Sequence, residues 1–140
     1  MKILLAVDGS EYSKKMLAYL VTHEDLFTQN HDYHVFTAHP ALPARARAVV
    51  GKEIVDKYYA EESEAILSPI TQFLLRHGIN ATSSWDVGTA SELISELANK
   101  SNFNLIVLGS HGHTALGNLV MGSVATQVLA HSKVPVLIIR

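Results

Sequence analysis

The chain has 140 residues, of which 48% are hydrophobic and 17% are charged. That length can bury the core of one domain, and the composition excludes a highly charged, disordered protein. Eleven Lys and Arg against thirteen Asp and Glu give a net charge of −2, so the overall charge does not favour binding to nucleic acid or to an anionic membrane. The absence of cysteine excludes disulfides, thiol catalysis and Cys-based zinc sites.

The N-terminal segment predicts a buried strand. Residues 3–7 are continuously apolar, which is typical of a strand covered on both faces. This run is too short for the core of a signal peptide or for a membrane span. Asp8-Gly9-Ser10 ends the strand, and Ser10 is the predicted N-cap of a helix. We therefore expect a soluble, cytoplasmic protein with a single domain, residues 1–140, and with no nucleic-acid or membrane partner.

The middle of the chain predicts two more strands and a long helix. Residues 33–38 indicate the second strand, and residues 40–51 show no clear periodicity, so we expect a loop there. A long helical pattern begins near Lys52, and Pro69 inside it is expected to kink or split the helix. Residues 79–87 alternate with polar side chains, which favours a strand near the edge of the sheet.

The last third of the chain repeats the alternation of helix and strand. Thr89 and Glu92 form a capping-box pattern at the start of a helix. A buried strand at 105–108 and a glycine-rich stretch then precede a short helix from Ser123, and residues 134–139 form a final apolar strand. Five strands that alternate with helices indicate an α/β fold with parallel β-α-β units. Ligands of such open sheets bind where the strand order reverses, so the loops after the first and fourth strands are the expected site.

The glycine-rich loop carries the strongest functional signal. Gly109-Ser-His-Gly112 is followed, after nine residues, by Gly122-Ser123. Main-chain N–H groups in such a loop can converge on an anion, and a helix that begins at Ser123 adds positive partial charge. The alternative, that these glycines serve only turns and caps, has about even weight from placement alone. No Lys follows the glycines as in a P-loop, so the pattern suits binding better than fast phosphoryl transfer.

The histidines do not indicate a metal site or a hydrolase. There are eight, including the pairs His31/His34 and His111/His113, but none has the helical His-Glu-x-x-His arrangement. The sequence also has no Gly-x-Ser-x-Gly elbow for a serine hydrolase. Dispersed surface histidines are the interpretation that the spacing favours.

The spacing Gly109-x2-Gly112-x9-Gly122-Ser123 resembles the nucleotide-binding motif of the universal stress protein family. Residues 3–10 resemble the first strand and turn of that family, and residues 130–139 resemble its last helix and strand. The resemblance covers essentially the whole chain. It implies an open, five-stranded parallel sheet with helices on both faces, of the Rossmann-like or adenine nucleotide alpha hydrolase-like type. It also implies a homodimer and ATP binding.

The resemblance assigns expected roles to individual residues. Asp8 would meet the ribose or the base side of ATP, and the main chain of Ala38 would line the adenine. The remaining contacts would hold the ribose and the phosphates: Gly109, Gly112, Gly122, Ser123 and Val124. His113 would lie near the phosphates, at a position where the family often carries a basic residue. Ala38 also departs from the family, which commonly has a larger aliphatic side chain there.

The function that we expect is that of an ATP-binding universal stress protein, a nucleotide-responsive regulator of stress physiology, with ATP and Mg²⁺ as its ligands. One alternative is a slow ATPase in which Asp8 or a histidine assists the attacking water. No sequence feature supplies an evident general base, so slow hydrolysis is the most that we expect. The other alternative is a nucleotide-free dimer that serves as an interaction scaffold. The apolar strand at 134–139 ends the chain and is the expected dimer edge.

Overall fold

A computed structural model describes residues 1–113 and 120–140 of the chain. Within these residues, five parallel strands form one sheet in the order β3-β2-β1-β4-β5. The elements in chain order are β1 Lys2–Ala6, α1 Glu11–Thr22, β2 Asp32–His39, α2 Ala44–Val50, α3 Lys52–Arg76, β3 Thr82–Val87, α4 Ala90–Lys100, β4 Leu105–Gly109, α5 Ser123–His131 and β5 Val136–Ile139.

The strand order reverses between β1, the central strand of the sheet, and its neighbour β4. Ile3 lies opposite Tyr33 on one side and opposite Leu105 on the other, so both neighbours run parallel to β1. The loops that follow β1 and β4 therefore leave the same edge of the sheet, side by side. The predicted α/β fold with an open, five-stranded parallel sheet is confirmed, and so is the prediction that β3 lies at an edge.

Each face of the sheet has its own apolar core. Along β1, Ile3 and Leu5 face one core, and Leu4 and Ala6 face the other, because successive side chains of a strand alternate. Helices α1 and α3 cover the first face, whereas α4 and α5 cover the second. Burial on both faces explains the uninterrupted apolar run of this strand. The expected covering of both faces by helices is confirmed.

One expectation for the segment between β2 and β3 is wrong. Residues 44–50 form helix α2, where the sequence predicted only a loop. This helix has no buried residue, so no apolar stripe marks it, and its Ala and Arg content alone favours it. Of the two outcomes expected at Pro69, a kink or a split, the split does not occur, because helix α3 runs unbroken through this residue. Pro69 is exposed, so water can reach the carbonyl whose helical hydrogen bond is lost.

The helix starts differ in how they are capped. The Ser10 side chain accepts a hydrogen bond from the Ser13 N–H at 3.4 Å, so the predicted N-cap of α1 is confirmed. Thr89 occupies the N-cap of α4, but its side chain makes no capping hydrogen bond, so the predicted capping box is wrong. None of the helices in residues 1–113 and 120–140 is long and apolar enough to cross a membrane.

Candidate functional site

A cleft of about 270 Å³ opens where the loops after β1 and β4 diverge. Its wall contains every residue that the sequence analysis singled out as a ligand contact: Asp8, Ala38, Gly109, Gly112, His113, Gly122, Ser123 and Val124. These residues come from four separate stretches of the chain, and the parallel topology brings them to one edge of the sheet. Their contact with a ligand stays a prediction, whereas their convergence is a property of the fold.

Several residues in the wall were not predicted from the sequence. Phe36 precedes Ala38 by two positions, so the period of a strand could have placed both on one face. Ser13, Ala90 and Ile94 come from helices α1 and α4, on opposite faces of the sheet. No local pattern marks them, because only the packing of those helices brings them to the cleft. His111 also lines the cleft, although its spacing to His113 favoured only a dispersed surface histidine.

The cleft has an apolar end and a polar end. Phe36, Ala38, Ala90 and Ile94 supply hydrocarbon to one part of the wall and belong to, or pack on, the core under α4 and α5. The opposite part carries a carboxylate, histidine rings, a hydroxyl and the main chain of the glycine loop. A ligand with an apolar ring system at one end and a polar or charged group at the other fits this division.

The main chain of Ala38 faces the cleft with both a donor and an acceptor. The Val7 N–H donates to Phe36 O at 2.9 Å, so the polar groups of Phe36 point toward β1, and those of Ala38, two residues on, point the same way. Strand β1 ends at Ala6, and no described residue of the next loop pairs with Ala38. The N–H and C=O of Ala38 are therefore directed past the end of β1, beside the apolar wall.

The Asp8 carboxylate is fixed by the turn that it closes. Its Oδ1 accepts hydrogen bonds from the Ser10 N–H and from the Ser13 hydroxyl, both at 2.9 Å. The Asp8 N–H in turn donates to Ser13 Oγ at 3.0 Å. Asp-Gly at the end of a strand is an ordinary turn pair, and Gly9 has the positive φ, 76°, that such a turn uses. Asp8 Oδ1 thus accepts the hydrogen bonds that stabilise the turn, whereas Oδ2 faces Gly112.

Gly109, Gly112 and Gly122 do not have positive φ angles, which occur at other glycines of the described chain. What these three positions require is space, because other atoms lie close to where a Cβ would be. A Cβ on Gly112 would lie 2.6 Å from Asp8 Oδ2, and one on Gly109 would lie 2.8 Å from Tyr12 Cβ. A Cβ on Gly122 would come within 3.1 Å of His111 Cα. Gly109 and Gly122 thus allow close packing of protein main chain, which supports the structural interpretation of these glycines beside the ligand-binding one.

Helix α5 begins at the polar end of the cleft. Gly122 is its N-cap and has no side chain to satisfy the first amides, and the first turn carries no acidic residue. The amides of the first turn, including those of Ser123 and Val124, have no partner within the helix itself. These amides and the positive end of the helix dipole suit a bound anion.

Two histidines stand at the same end. His113 Nε2 donates a hydrogen bond to the main-chain carbonyl of Asp8 at 2.6 Å, because a carbonyl can only accept. His111 Nδ1 lies 2.8 Å from Ser110 Oγ, and its ring packs on Tyr12 with centroids 4.8 Å apart. Within residues 1–113 and 120–140, no three His, Asp or Glu side chains cluster as metal ligands would.

The sequence matches the Universal stress protein family over residues 1–140. The chain belongs to the universal stress protein family. Universal stress protein MJ0531 of Methanocaldococcus jannaschii is 26% identical over 142 residues, which cover 99% of this chain and 81% of that protein. The resemblance drawn from the glycine spacing and the terminal strands is therefore confirmed.

Solved structures of the family share the fold. Universal stress protein UspA from Lactobacillus plantarum has a TM-score of 0.80 at 22% identity and covers 99% of this chain and 97% of its own. The family member from Archaeoglobus fulgidus in complex with dAMP has a TM-score of 0.67 at 22% identity, with coverage of 100% and 98%. Another universal stress protein, solved in complex with cAMP, reaches 0.69 at 22% identity, with coverage of 100% and 97%. At these identities the likeness establishes the fold alone.

Proposed function

We propose that this universal stress protein binds an adenine nucleotide, ATP foremost, and acts as a nucleotide-responsive regulator. The observation that carries the proposal is the layout of one cleft. An apolar wall with a main-chain donor and acceptor lies at one end, and the N-terminus of α5 lies at the other. A nucleotide has its base, ribose and phosphates in that same order.

The apolar end matches adenine in shape and in hydrogen bonding. Phe36 and Ile94 offer hydrocarbon to the faces of a flat ring. The Ala38 N–H can donate to N1 of adenine, and the Ala38 C=O can accept from its N6 amino group. Guanine reverses this pattern, with a donor at N1 and an acceptor at O6, so it would oppose like groups at Ala38. Such a mismatch leaves buried polar groups unpaired and disfavours guanine.

The polar end matches phosphate. The first amides of α5, the Ser123 hydroxyl and the main chain around Gly112 can donate to phosphate oxygens. Among the described residues of the cleft wall, Asp8 supplies the one carboxylate, and its Oδ1 already accepts hydrogen bonds from Ser10 and Ser13. Asp8 Oδ2 is one oxygen of the kind that Mg²⁺ accepts alongside nucleotide phosphates, so a metal ion carried by ATP fits here.

The comparisons support adenine-nucleotide binding in this fold, since structures of related proteins hold dAMP and cAMP. The number of phosphates is a separate matter. A neutral cradle of amides at a helix start accommodates a polyphosphate, and the described residues that line the cleft include no lysine or arginine that would favour rapid transfer of a phosphoryl group. Binding is therefore favoured over turnover.

The proposal is tested by identifying and then titrating the ligand. Protein purified without added nucleotide is denatured, and the released small molecules are identified by mass spectrometry. Calorimetry on nucleotide-free protein then compares ATP, ADP, AMP, cAMP and GTP with Mg²⁺ present. Binding of ATP with GTP at least tenfold weaker supports the proposal. Equal affinity for ATP and GTP, or no binding of any nucleotide, contradicts it.

Release of phosphate over many turnovers separates a binding protein from a slow ATPase. The measurement uses the same nucleotide-free protein with excess ATP and Mg²⁺. We expect at most one equivalent of phosphate per site over the time in which ATP exchanges. Sustained release that depends on Asp8 or His111 would favour the ATPase alternative.

A further inference from the structure

We propose that His113 is a positioning residue that ties the two loops of the cleft together through the main chain of Asp8. The effect on nucleotide binding rests on the proposed function above, whereas the contact itself belongs to the ligand-free protein. The sequence placed His113 near the phosphates. In the structure its Nε2 is directed at Asp8 O, 2.6 Å away, across 105 positions of sequence.

Each loop is separately anchored on its own helix. Asp8 is held to the start of α1, because its Oδ1 accepts from the Ser10 N–H and from the Ser13 hydroxyl. The loop after β4 is held to the start of α5, because the Gly122 N–H donates to Ser110 O at 2.7 Å. The hydrogen bond from His113 to Asp8 therefore connects two anchored units, β1–α1 and β4–α5, at the point where they diverge around the cleft.

The residue before His113 brings the same two loops close. The ideal Cβ position of Gly112 is 2.6 Å from Asp8 Oδ2, so a side chain at this position would require the carboxylate to shift. This approach and the hydrogen bond from His113 act on adjacent residues of one loop and on one residue of the other. Together they fix the distance between the wall that carries Asp8 and the wall that carries Gly112.

A fixed distance between the walls favours binding, because a preorganised site loses less conformational freedom when the ligand enters. The effect of the tie should appear mainly in the dissociation rate, as do most effects of single contacts on affinity. A hydrogen bond of this kind between exposed groups changes an equilibrium by about two- to tenfold. The donor, and no other property of the imidazole, is what the role requires.

Three variants separate the donor from the ring. His113→Leu removes the hydrogen bond, whereas His113→Gln keeps an N–H at a similar distance from the main chain. His131→Leu is the control, because His131 is also exposed and hydrogen-bonded through its ring to a carbonyl, that of Gln127, but lies at the far end of α5. Circular dichroism checks whether all three retain the helical content of the wild type.

The first measurement needs no nucleotide. Amide hydrogen exchange is followed at Ser10 and Gly122, whose N–H groups anchor the two loops. We expect exchange at both amides to be about two- to tenfold faster in His113→Leu, with His113→Gln and His131→Leu close to wild type. Unchanged exchange in His113→Leu would overturn the tie, and so would a His113→Gln protein that behaves like His113→Leu.

The second measurement follows release of a fluorescent ADP analogue by stopped flow. We expect dissociation about two- to tenfold faster from His113→Leu, with rescue in His113→Gln. A wild type that binds no nucleotide would refute the proposed function. The hydrogen-exchange measurement would then be the test of whether His113 holds the two loops together. Equal dissociation rates in wild type and His113→Leu would overturn the role of the tie in binding.

Discussion

The Gly122 N–H donates a hydrogen bond of 2.7 Å to Ser110 O and so joins the start of α5 to the residue that follows β4. The two main chains are close enough that a Cβ on Gly122 would lie 3.3 Å from that same oxygen and 3.1 Å from His111 Cα. Gly122 therefore sets the position of the helix start relative to the glycine loop. The absence of a side chain at this residue lets the start of α5 lie directly against the loop.

Replacing Gly122 with Val is expected to weaken ATP binding by at least tenfold, about 1.4 kcal/mol. A Cβ at this position faces the main chain of residues 110–112, so a branched side chain pushes the start of α5 away from the loop after β4 and displaces the amides proposed to hold phosphate. Gly122→Ala should lose less affinity, since a single methyl group needs a shift of only a few tenths of an ångström. Calorimetry measures both affinities.

The matched control for this substitution is Ala130→Val, a β-branched residue at an exposed position of the same helix. Its ATP affinity should equal that of the wild type. Thermal unfolding of Gly122→Val reports whether the protein still folds, because the displaced helix start also costs stability. A folded Gly122→Val protein with unchanged ATP affinity would refute the phosphate cradle.

Replacing Ser13 with Ala should destabilise the protein by about 1–3 kcal/mol. The buried Ser13 hydroxyl donates to Asp8 Oδ1 and accepts from the Asp8 N–H, so its loss leaves two polar groups of Asp8 without these partners. Urea unfolding measures the change, and Ser83→Ala on β3 is the control, because Ser83 is exposed. A loss no larger than that of the control would show that Ser13 does not support the turn.

We expect the titration of His34 to lower the free energy of unfolding at acid pH. Burial, and then the charge of Lys2, lower the pKa of His34 below its usual 6.5. The unfolded chain therefore binds a proton more readily than the folded protein as pH falls below that value, and the proton favours unfolding. The free energy of unfolding should decrease from about pH 7.5 toward pH 5 more steeply in the wild type than in His34→Gln.

His34 lies near the N-terminal end of β2, whereas the cleft lies beyond the C-terminal ends of the strands. Its ring nitrogens are 2.7 Å from the Thr82 and Ser84 hydroxyls. Its titration therefore tests the stability of the fold and not the nucleotide site. Lys2→Met should reduce the slope in part, because it removes the second cause of the lowered pKa. Parallel curves for wild type and His34→Gln in urea unfolding at several pH values would contradict the assignment.

We predict a homodimer through β5, which lies at the edge of the sheet. The Ile106 N–H donates to Pro135 O, so the main-chain groups of Pro135 and Leu137 point toward β4, and those of Val136 and Ile138 point outward. An apolar edge with outward donors and acceptors pairs readily with a second copy. Light scattering should show a dimer at micromolar concentration.

Because the main-chain groups of Ile138 point away from β4, a substitution there can disrupt pairing between two copies without disrupting the sheet. Ile138→Pro removes an outward N–H and leaves the hydrogen bonds to β4 in place, so it should give a folded monomer. Circular dichroism checks the fold, and light scattering checks the mass. A wild type that stays monomeric over the micromolar range, or an Ile138→Pro protein that is still a dimer, would contradict pairing through this edge.

The sequence by itself determined the order of the strands and of every helix except α2, together with eight of the residues that line the cleft. Strand β1 was recognisable because both of its faces are buried, and the loops after β1 and β4 were assigned to one site because parallel strands end at the same edge. The glycine spacing identified the family, and all eight predicted residues line one cleft. These features are readable because each depends on local composition or on topology, which the alternation of strand and helix already implies.

The tertiary structure decided what depends on contacts between distant parts of the chain. The main chain of His111 lies so close to Gly122 that a side chain there would need a shift of the neighbouring loop. The hydrogen bond from His113 to Asp8 O likewise joins residues far apart in the sequence. The N–H and C=O of Ala38 are directed past the end of β1, where no described residue pairs with them. Helix α2 forms although none of its residues is buried. No sequence pattern encodes these points, because each is set by where one segment stops or approaches another, and those distances arise only when the helices pack on the sheet.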